Sequence, residues 1–107
     1  MSLTMKDFQK LDIRIGRVVK AEKIPQLKKI LKVYVDIGGQ AIQTVAGGAE
    51  FYPPEYFIDK LVVVLVNLEP KVIAGIESQG MLLAADVGGK PVWLTVPEGV
   101  PSGTRVR

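Results

Sequence analysis

Three glycine pairs, Gly38-Gly39, Gly47-Gly48 and Gly88-Gly89, punctuate a 107-residue chain whose apolar residues fall in short β-branched runs. Glycine pairs supply the positive φ of tight turns, and the chain shows no helix long enough for the crossover that a parallel sheet requires. The chain is therefore expected to be all-β and antiparallel. Ile13 to Glu22 alternates apolar with polar residues, points Arg14 and Lys20 at solvent and breaks step at Val18-Val19. Gly16 inside that run reads as a bulge or a barrel corner. Pro25 to Lys29 reads as a loop, Ile30 to Ile37 as a second strand, and Ala41 to Val45 as its hairpin partner.

Pro53 to Phe57 opens one helical turn or two, and the run Leu61 to Val66 reads as a strand buried on both faces. Further strands are expected over 71–75, 80–86 and 91–96, followed by an extended, edge-like tail marked by Pro97 and Pro101. Thr4 and Asp7 form a capped turn at the start. These elements predict one domain over residues 1–107, a five-stranded Greek-key barrel of the OB-fold type with a short helix between strands 3 and 4. An SH3-like barrel is the alternative, but it has no natural place for that helix.

The chain has neither Cys nor His, which excludes a zinc finger, an iron–sulfur cluster, a thiolate nucleophile and a Ser-His-Asp triad. Asp7, Asp12, Asp36, Asp59 and Asp86 show no paired spacing for a metal or for acid–base work, and no phosphate-loop pattern is present. A non-catalytic binding module without a cofactor is the expectation. The longest apolar run is far short of a membrane span, so a cytoplasmic protein with no membrane partner is expected. The net charge of +3 conceals an uneven distribution: residues 1–32 hold nine basic and three acidic groups, and the remainder is net acidic. That asymmetry suits a polyanion, although a solvated strand face would look the same.

Three segments are candidate binding elements. Lys23 to Lys29 clusters ammonium groups, including Lys28 and Lys29, in the first inter-strand loop, which in an OB-fold lies beside the ligand face. Glu77-Ser78-Gln79-Gly80-Met81 combines hydrogen-bonding side chains, a glycine permitting close approach and a deformable apolar surface. Asn67-Leu68-Glu69-Pro70-Lys71 reads as a turn with Lys71 near its tip. Phe51, Tyr52, Tyr56 and Phe57 either stack on unpaired bases or plug the barrel end.

Asp12-Ile13-Arg14-Ile15-Gly16-Arg17-Val18 resembles the opening motif of the tRNA-binding OB domain family. Val35 to Gly38, Thr44 to Gly47, Tyr52 to Glu55, Asn67 to Lys71 and Gly75 to Ala85 follow in that family's order, so the resemblance covers residues 6–107. It includes the most specific string, Glu77-Ser78-Gln79-Gly80-Met81-Leu82-Leu83-Ala84-Ala85. The resemblance implies shape-specific binding to the outer corner of tRNA, with Arg14, Lys28, Lys29, Lys71, Ser78, Gly80 and Met81 as RNA-binding residues. It also implies a homodimer formed through the N-terminal segment and a C-terminal extension, and a free-standing form acting in trans as a β-subunit of a methionyl-tRNA synthetase catalytic chain. The family's Asn-Ala-Asp-Lys-Leu loop reads Gln26-Leu27-Lys28-Lys29-Ile30 here, its Val-Ser-Gly reads Val45-Ala46-Gly47, and Val72 stands where a second basic residue is usual. A related branch, the export chaperone CsaA, shares the architecture and implies a polypeptide ligand instead.

Overall fold

The computed structural model describes Met1–Arg107. Its strands are β1 (Ile13–Ile24), β2 (Leu27–Asp36), β3 (Ala41–Gly47), β4 (Leu61–Leu65), β5 (Lys71–Ile73), β6 (Ile76–Ser78), β7 (Met81–Leu82), β8 (Ala84–Val87) and β9 (Lys90–Trp93), with helices α1 (Met5–Gln9) and α2 (Pro54–Phe57). The main sheet is antiparallel in the order β3-β2-β1-β4-β7, and β5-β6 and β8-β9 are separate hairpins. This is the expected OB-type barrel, with α2 between the third and fourth strands.

All three later strands differ from their expected bounds, the one expected over 91–96 running instead from Lys90 to Trp93. The run 71–75 is a strand that turns at once, because Ala74 and Gly75 take φ of 51° and 82° and fold β6 back on β5. The run 80–86 divides at Leu83, whose N–H donates to Val63 while β8 leaves the sheet to pair with β9.

The ladder between β1 and β2 shifts register at Val19, where the alternation breaks step in the sequence, and again between Lys23 and Ile24, and no bulge lies at Gly16. Val18 pairs with Val35 and Lys20 with Tyr34, so Val19 is an extra residue in the ladder. Strict alternation from buried Val18 would send Lys20 inward; the bulge puts Lys20 outside and Ala21 against the core. Gly16 serves a different need. A Cβ there would lie 2.4 Å from Val35 Cγ1 and 3.0 Å from the Asp36 carbonyl, so only a hydrogen fits where β1 crosses β2.

The core has two parts, which explains why Leu61 to Val64 is buried on both faces. Val62 and Val64 face the barrel interior with Val18, Leu31, Val33, Val35 and Phe57, while Leu61 and Val63 join Ile15 under a shell containing Val96, Val100 and Val106. That shell is the C-terminal tail. It is no free edge: Thr104 accepts from the Ile15 N–H at 2.8 Å, and Val106 donates to the Ile13 carbonyl at 2.8 Å. The tail thus takes up the edge of β1 where β2 has already turned away.

Helix α2 closes one barrel end. Phe57 is fully buried, edge-on to Trp93 with centroids 5.6 Å apart, and Tyr56 packs edge-on to Phe57 at 5.3 Å. Tyr52 Oη donates to the Pro91 carbonyl at 2.7 Å. Of the four aromatics expected either to stack on bases or to plug the barrel, three form the plug and Phe51 stands outside it, 50% exposed.

Gly16→Ala is expected to lower stability by about 1–3 kcal/mol through overpacking against Val35 and the Asp36 backbone. A thermal melt followed by circular dichroism checks this, and a melting temperature equal to that of the wild type would refute the contact.

Candidate nucleic-acid interface

The β1–β2 hairpin ends in a two-residue turn, Pro25-Gln26, with Gln26 at φ 69°. The expected loop over Pro25 to Lys29 is therefore shorter, because Leu27 already pairs with Ile24 and Lys28 and Lys29 lie on β2. The next pair is Lys23 with Leu31, so Lys28, Lys29 and Ile30 have no partner on β1 and splay the tip. Lys23, Lys28 and Lys29 are exposed, and none has a carboxylate within 4.0 Å. The tip packs beside Ala49, whose N–H donates to the Lys29 carbonyl at 3.3 Å.

Along the strands the cations are treated differently. Lys20 and Lys32 both reach Glu22 at 3.5 Å, which compensates the middle of the outer face. Arg17 is held by Glu98 and donates to the Asp59 carbonyl at 2.7 Å. Exposed pairs of this kind add little stability, but they remove charge that a phosphate would otherwise meet.

Arg14 sits at the far end of the hairpin from the tip. Ten strand steps, from Arg14 to Ile24, separate the two ends, on the order of 30 Å at about 3.3 Å each. Its guanidinium forms a fork on Asp12, with bonds of 2.9 and 2.8 Å, and Arg105 approaches the same carboxylate at 3.4 Å. The hydrogen bonds from Arg14 hold the Asp12 carboxyl below the usual carboxylate range, opposed by partial desolvation, with the charges of Arg14 and Arg105 acting in the same direction as the bonds. Asp12 also ties the tail residue Arg105 to the start of β1. Arg14 is thus already paired, unlike the lysines at the tip.

Lys71, Ser78, Gly80 and Met81 are brought together on the opposite side of β3. Lys71 pairs with Ser78 in the β5–β6 hairpin, and its ammonium has no carboxylate partner. Ser78 is buried: its Oγ accepts from the Val45 N–H at 3.0 Å and donates to the Gly80 carbonyl at 2.9 Å. Gln79 works beside it, its Oε1 accepting from the Gln43 N–H at 2.9 Å while its own N–H donates to the Gln43 carbonyl at 2.8 Å. Gly80 is buried where a Cβ would lie 3.0 Å from the Leu65 carbonyl. Met81 faces outward at 44% exposure, whereas Leu82 enters the core. The string therefore closes the barrel, and of Ser78, Gly80 and Met81 it is Met81 that is open to a ligand.

Sequence reasoning did not single out Lys90, whose ammonium lies 5.6 Å from the Phe51 ring centroid and 5.7 Å from that of Tyr52. A lysine directly after the Gly88-Gly89 turn was the available signal, but nothing local ties it to residues 51 and 52. No helix of the chain is long and apolar enough to cross a membrane.

Residues 13–105 match a family model described as "Putative tRNA binding domain". A methionine–tRNA ligase of Archaeoglobus fulgidus is 55% identical over 104 residues, covering 97% of this chain and 16% of that protein. One of Thermotoga maritima is 47% identical over 105 residues, covering 98% and 17%. The chain thus spans about one sixth of the length of the curated relatives it matches. Among solved structures, a MetRS-related protein of Pyrococcus horikoshii superposes with a TM-score of 0.93 at 43% identity, covering 100% of both chains. The chaperone CsaA of Bacillus anthracis superposes at 0.89 with 31% identity, again over 100% of both.

Two outcomes are expected from this geometry. Ser78→Ala leaves the Val45 N–H and the Gly80 carbonyl without partners and is expected to cost about 1–3 kcal/mol, read as a lowered urea midpoint; an unchanged midpoint would mean that the side-chain bridge does not hold the barrel shut. Because the Asp12 carboxyl titrates lower in the folded chain than when unfolded, its contribution is full above about pH 4 and is lost as pH falls through the folded value. Asp12→Asn should therefore be less stable than wild type near neutrality, and the gap should narrow in melts carried below pH 4. A gap independent of pH would refute the linkage.

Proposed function

The chain belongs to the tRNA-binding domain family, and from that premise we propose that it binds tRNA by shape, as a cytoplasmic homodimer serving a methionyl-tRNA synthetase catalytic chain in trans. It is a non-catalytic binding module. The observation that carries the reading is the sorting of its cations: those at the hairpin tip and Lys71 are free of carboxylates, whereas those along the middle of β1 and β2 are compensated. Uncompensated ammonium groups give phosphates their contact and release counterions on binding. On this reading Lys28 and Lys29 meet the RNA backbone, Lys71 and Met81 border a second contact, and Ser78 and Gly80 fix where that contact lies. Arg14 acts from its place on Asp12, holding the strand end and tail.

The dimer is supported by apolar residues on the N-terminal segment that the barrel leaves uncovered. Leu3 and Met5 are largely exposed, and Phe8 and Leu11 line a groove of about 690 Å³ with Arg105 and Val106. Burying such side chains against a second copy is worth about 1.5–3 kcal/mol each.

A second reading, a polypeptide-binding chaperone, is supported by the resemblance to CsaA and by Leu68 and Val72 standing exposed around Lys71. A client-aggregation assay separates the two. Suppression at stoichiometric protein, with no tRNA binding, would decide for the chaperone.

Gel-shift titration with unfractionated tRNA is expected to show binding that weakens steeply as salt rises. The double variant Lys28→Ala/Lys29→Ala should lose about tenfold in affinity at low salt and should reduce the slope of log K against log salt by about 1.5. Wild-type binding weaker than millimolar, or independent of salt, would refute the reading. Sedimentation equilibrium should give twice the chain mass; a monomer would refute the dimer.

A further inference from the structure

Phe51 and Lys90 form a contact that neither the barrel plug nor the hairpin tip uses. Phe51 is 50% exposed although its neighbours Tyr52, Tyr56 and Phe57 stack on one another. It is not there through looseness of the chain: the Phe51 and Tyr52 N–H groups both donate to the Gly48 carbonyl, at 2.9 and 3.0 Å. Lys90 is fixed from the other side, because the following residue, Pro91, accepts from Tyr52 Oη and abuts Gly48, where a Cβ would lie 2.7 Å from Pro91 Cγ.

The Lys90 ammonium lies between the Phe51 and Tyr52 rings and has no carboxylate within 4.0 Å. A half-exposed ring with an uncompensated cation beside it suits a ligand that is flat and anionic at once. An apolar peptide would satisfy the ring and leave the ammonium without an anion. The surface next to it is a shallow cavity of about 300 Å³ floored by Gly47, Gly48 and Gly89, and at Gly47 and Gly89 a Cβ would meet nothing within 4 Å. Ala49, two residues before Phe51, lines a further cavity of about 300 Å³ with Lys23 and Lys28 at the hairpin tip. The loop that carries Phe51 therefore also packs against the tip, through Ala49.

We propose that Phe51 and Lys90 form a stacking site for one unpaired nucleobase of the bound RNA, Phe51 supplying the ring and Lys90 a contact to the adjoining phosphate. This rests on the tRNA-binding reading and adds to it a single-stranded subsite beside the hairpin tip. The unpaired base gives the ring a partner that paired RNA withholds, since bases inside a duplex have no free face.

Fluorescence anisotropy on the full chain tests the site with three labelled probes: an adenosine octaribonucleotide, a blunt RNA duplex of eight base pairs and unfractionated tRNA. Phe51→Ala is expected to weaken binding of the octamer and of tRNA about five- to fifty-fold while leaving the duplex within about twofold of wild type. Lys90→Ala should reduce the salt slope on the octamer by about 0.7. Phe51→Trp should keep the affinity, and its added fluorescence should be quenched by the octamer. If wild type binds tRNA and Phe51→Ala binds all three probes equally well, the stacking site is overturned and the tRNA reading stands. If wild type binds no RNA, both are overturned. If Phe51→Ala weakens only capture of an unfolded polypeptide, the nucleobase assignment is overturned. Should Phe51→Ala fail to fold, Phe51→Trp decides alone, and absence of quenching overturns the site.

Discussion

The barrel is held shut by three side chains that take the place of a strand ladder. Between β3 and the segment Glu77 to Gly80, Ser78 Oγ and Gln79 Oε1 accept the N–H groups of Val45 and Gln43. The Gln79 N–H returns a bond to Gln43, and Gln43 Nε2 donates to the Glu77 carbonyl. An open edge on β3 would leave several backbone groups unpaired beside a core of Leu31, Val33 and Val35. With the bridge in place, β6 and β7 are set against β3 at fixed register, and Leu82 enters the core while Met81 turns out. The site's geometry on that side is a by-product of the closure.

The second organising constraint is electrostatic. Glu22, Asp12 and Glu98 between them hold five cations on and beside β1, so each of these cations is paired where the strand is most ordered. The free ammonium groups stand at the barrel's rim, on the hairpin tip and the β8–β9 turn, where approach of a large polyanion is least obstructed. Net charge alone would have spread the same excess over the whole surface; the acids decide which cations remain available.

Much of this was legible in the residues. Alternation in β1 and β2, the glycine pairs and the all-apolar β4 reveal an antiparallel barrel because each reports a local geometry that packing then reinforces. The short helix was legible from Pro53-Pro54 for the same reason. What escaped was non-local. Nothing near Gly16 announces that its space is taken by Val35, and the tail's pairing with Ile13 and Ile15 joins residues some 90 positions apart. Ser78 shows the limit most clearly: a serine beside a glycine reads equally well as a ligand contact or as a clamp, and only its burial and two bonds separate them. Arg14 likewise offers a cation in sequence, and the fork on Asp12 appears only in three dimensions.

Val19 carries a consequence of another kind. Its side chain is half in water and touches none of the core, so by composition the position should accept almost any residue. Yet it is the extra step that resets the parity of the strand. Removing it would join Val18 to Lys20 in a regular ladder and leave Lys20 and Glu22 outside and Ala21 inside, because Val18 and Lys20 already oppose the consecutive residues Val35 and Tyr34. Such a position is free in identity and in count, so drift among related sequences should appear there as substitution or as a one-residue gap, with the facing of the strand unchanged on either side.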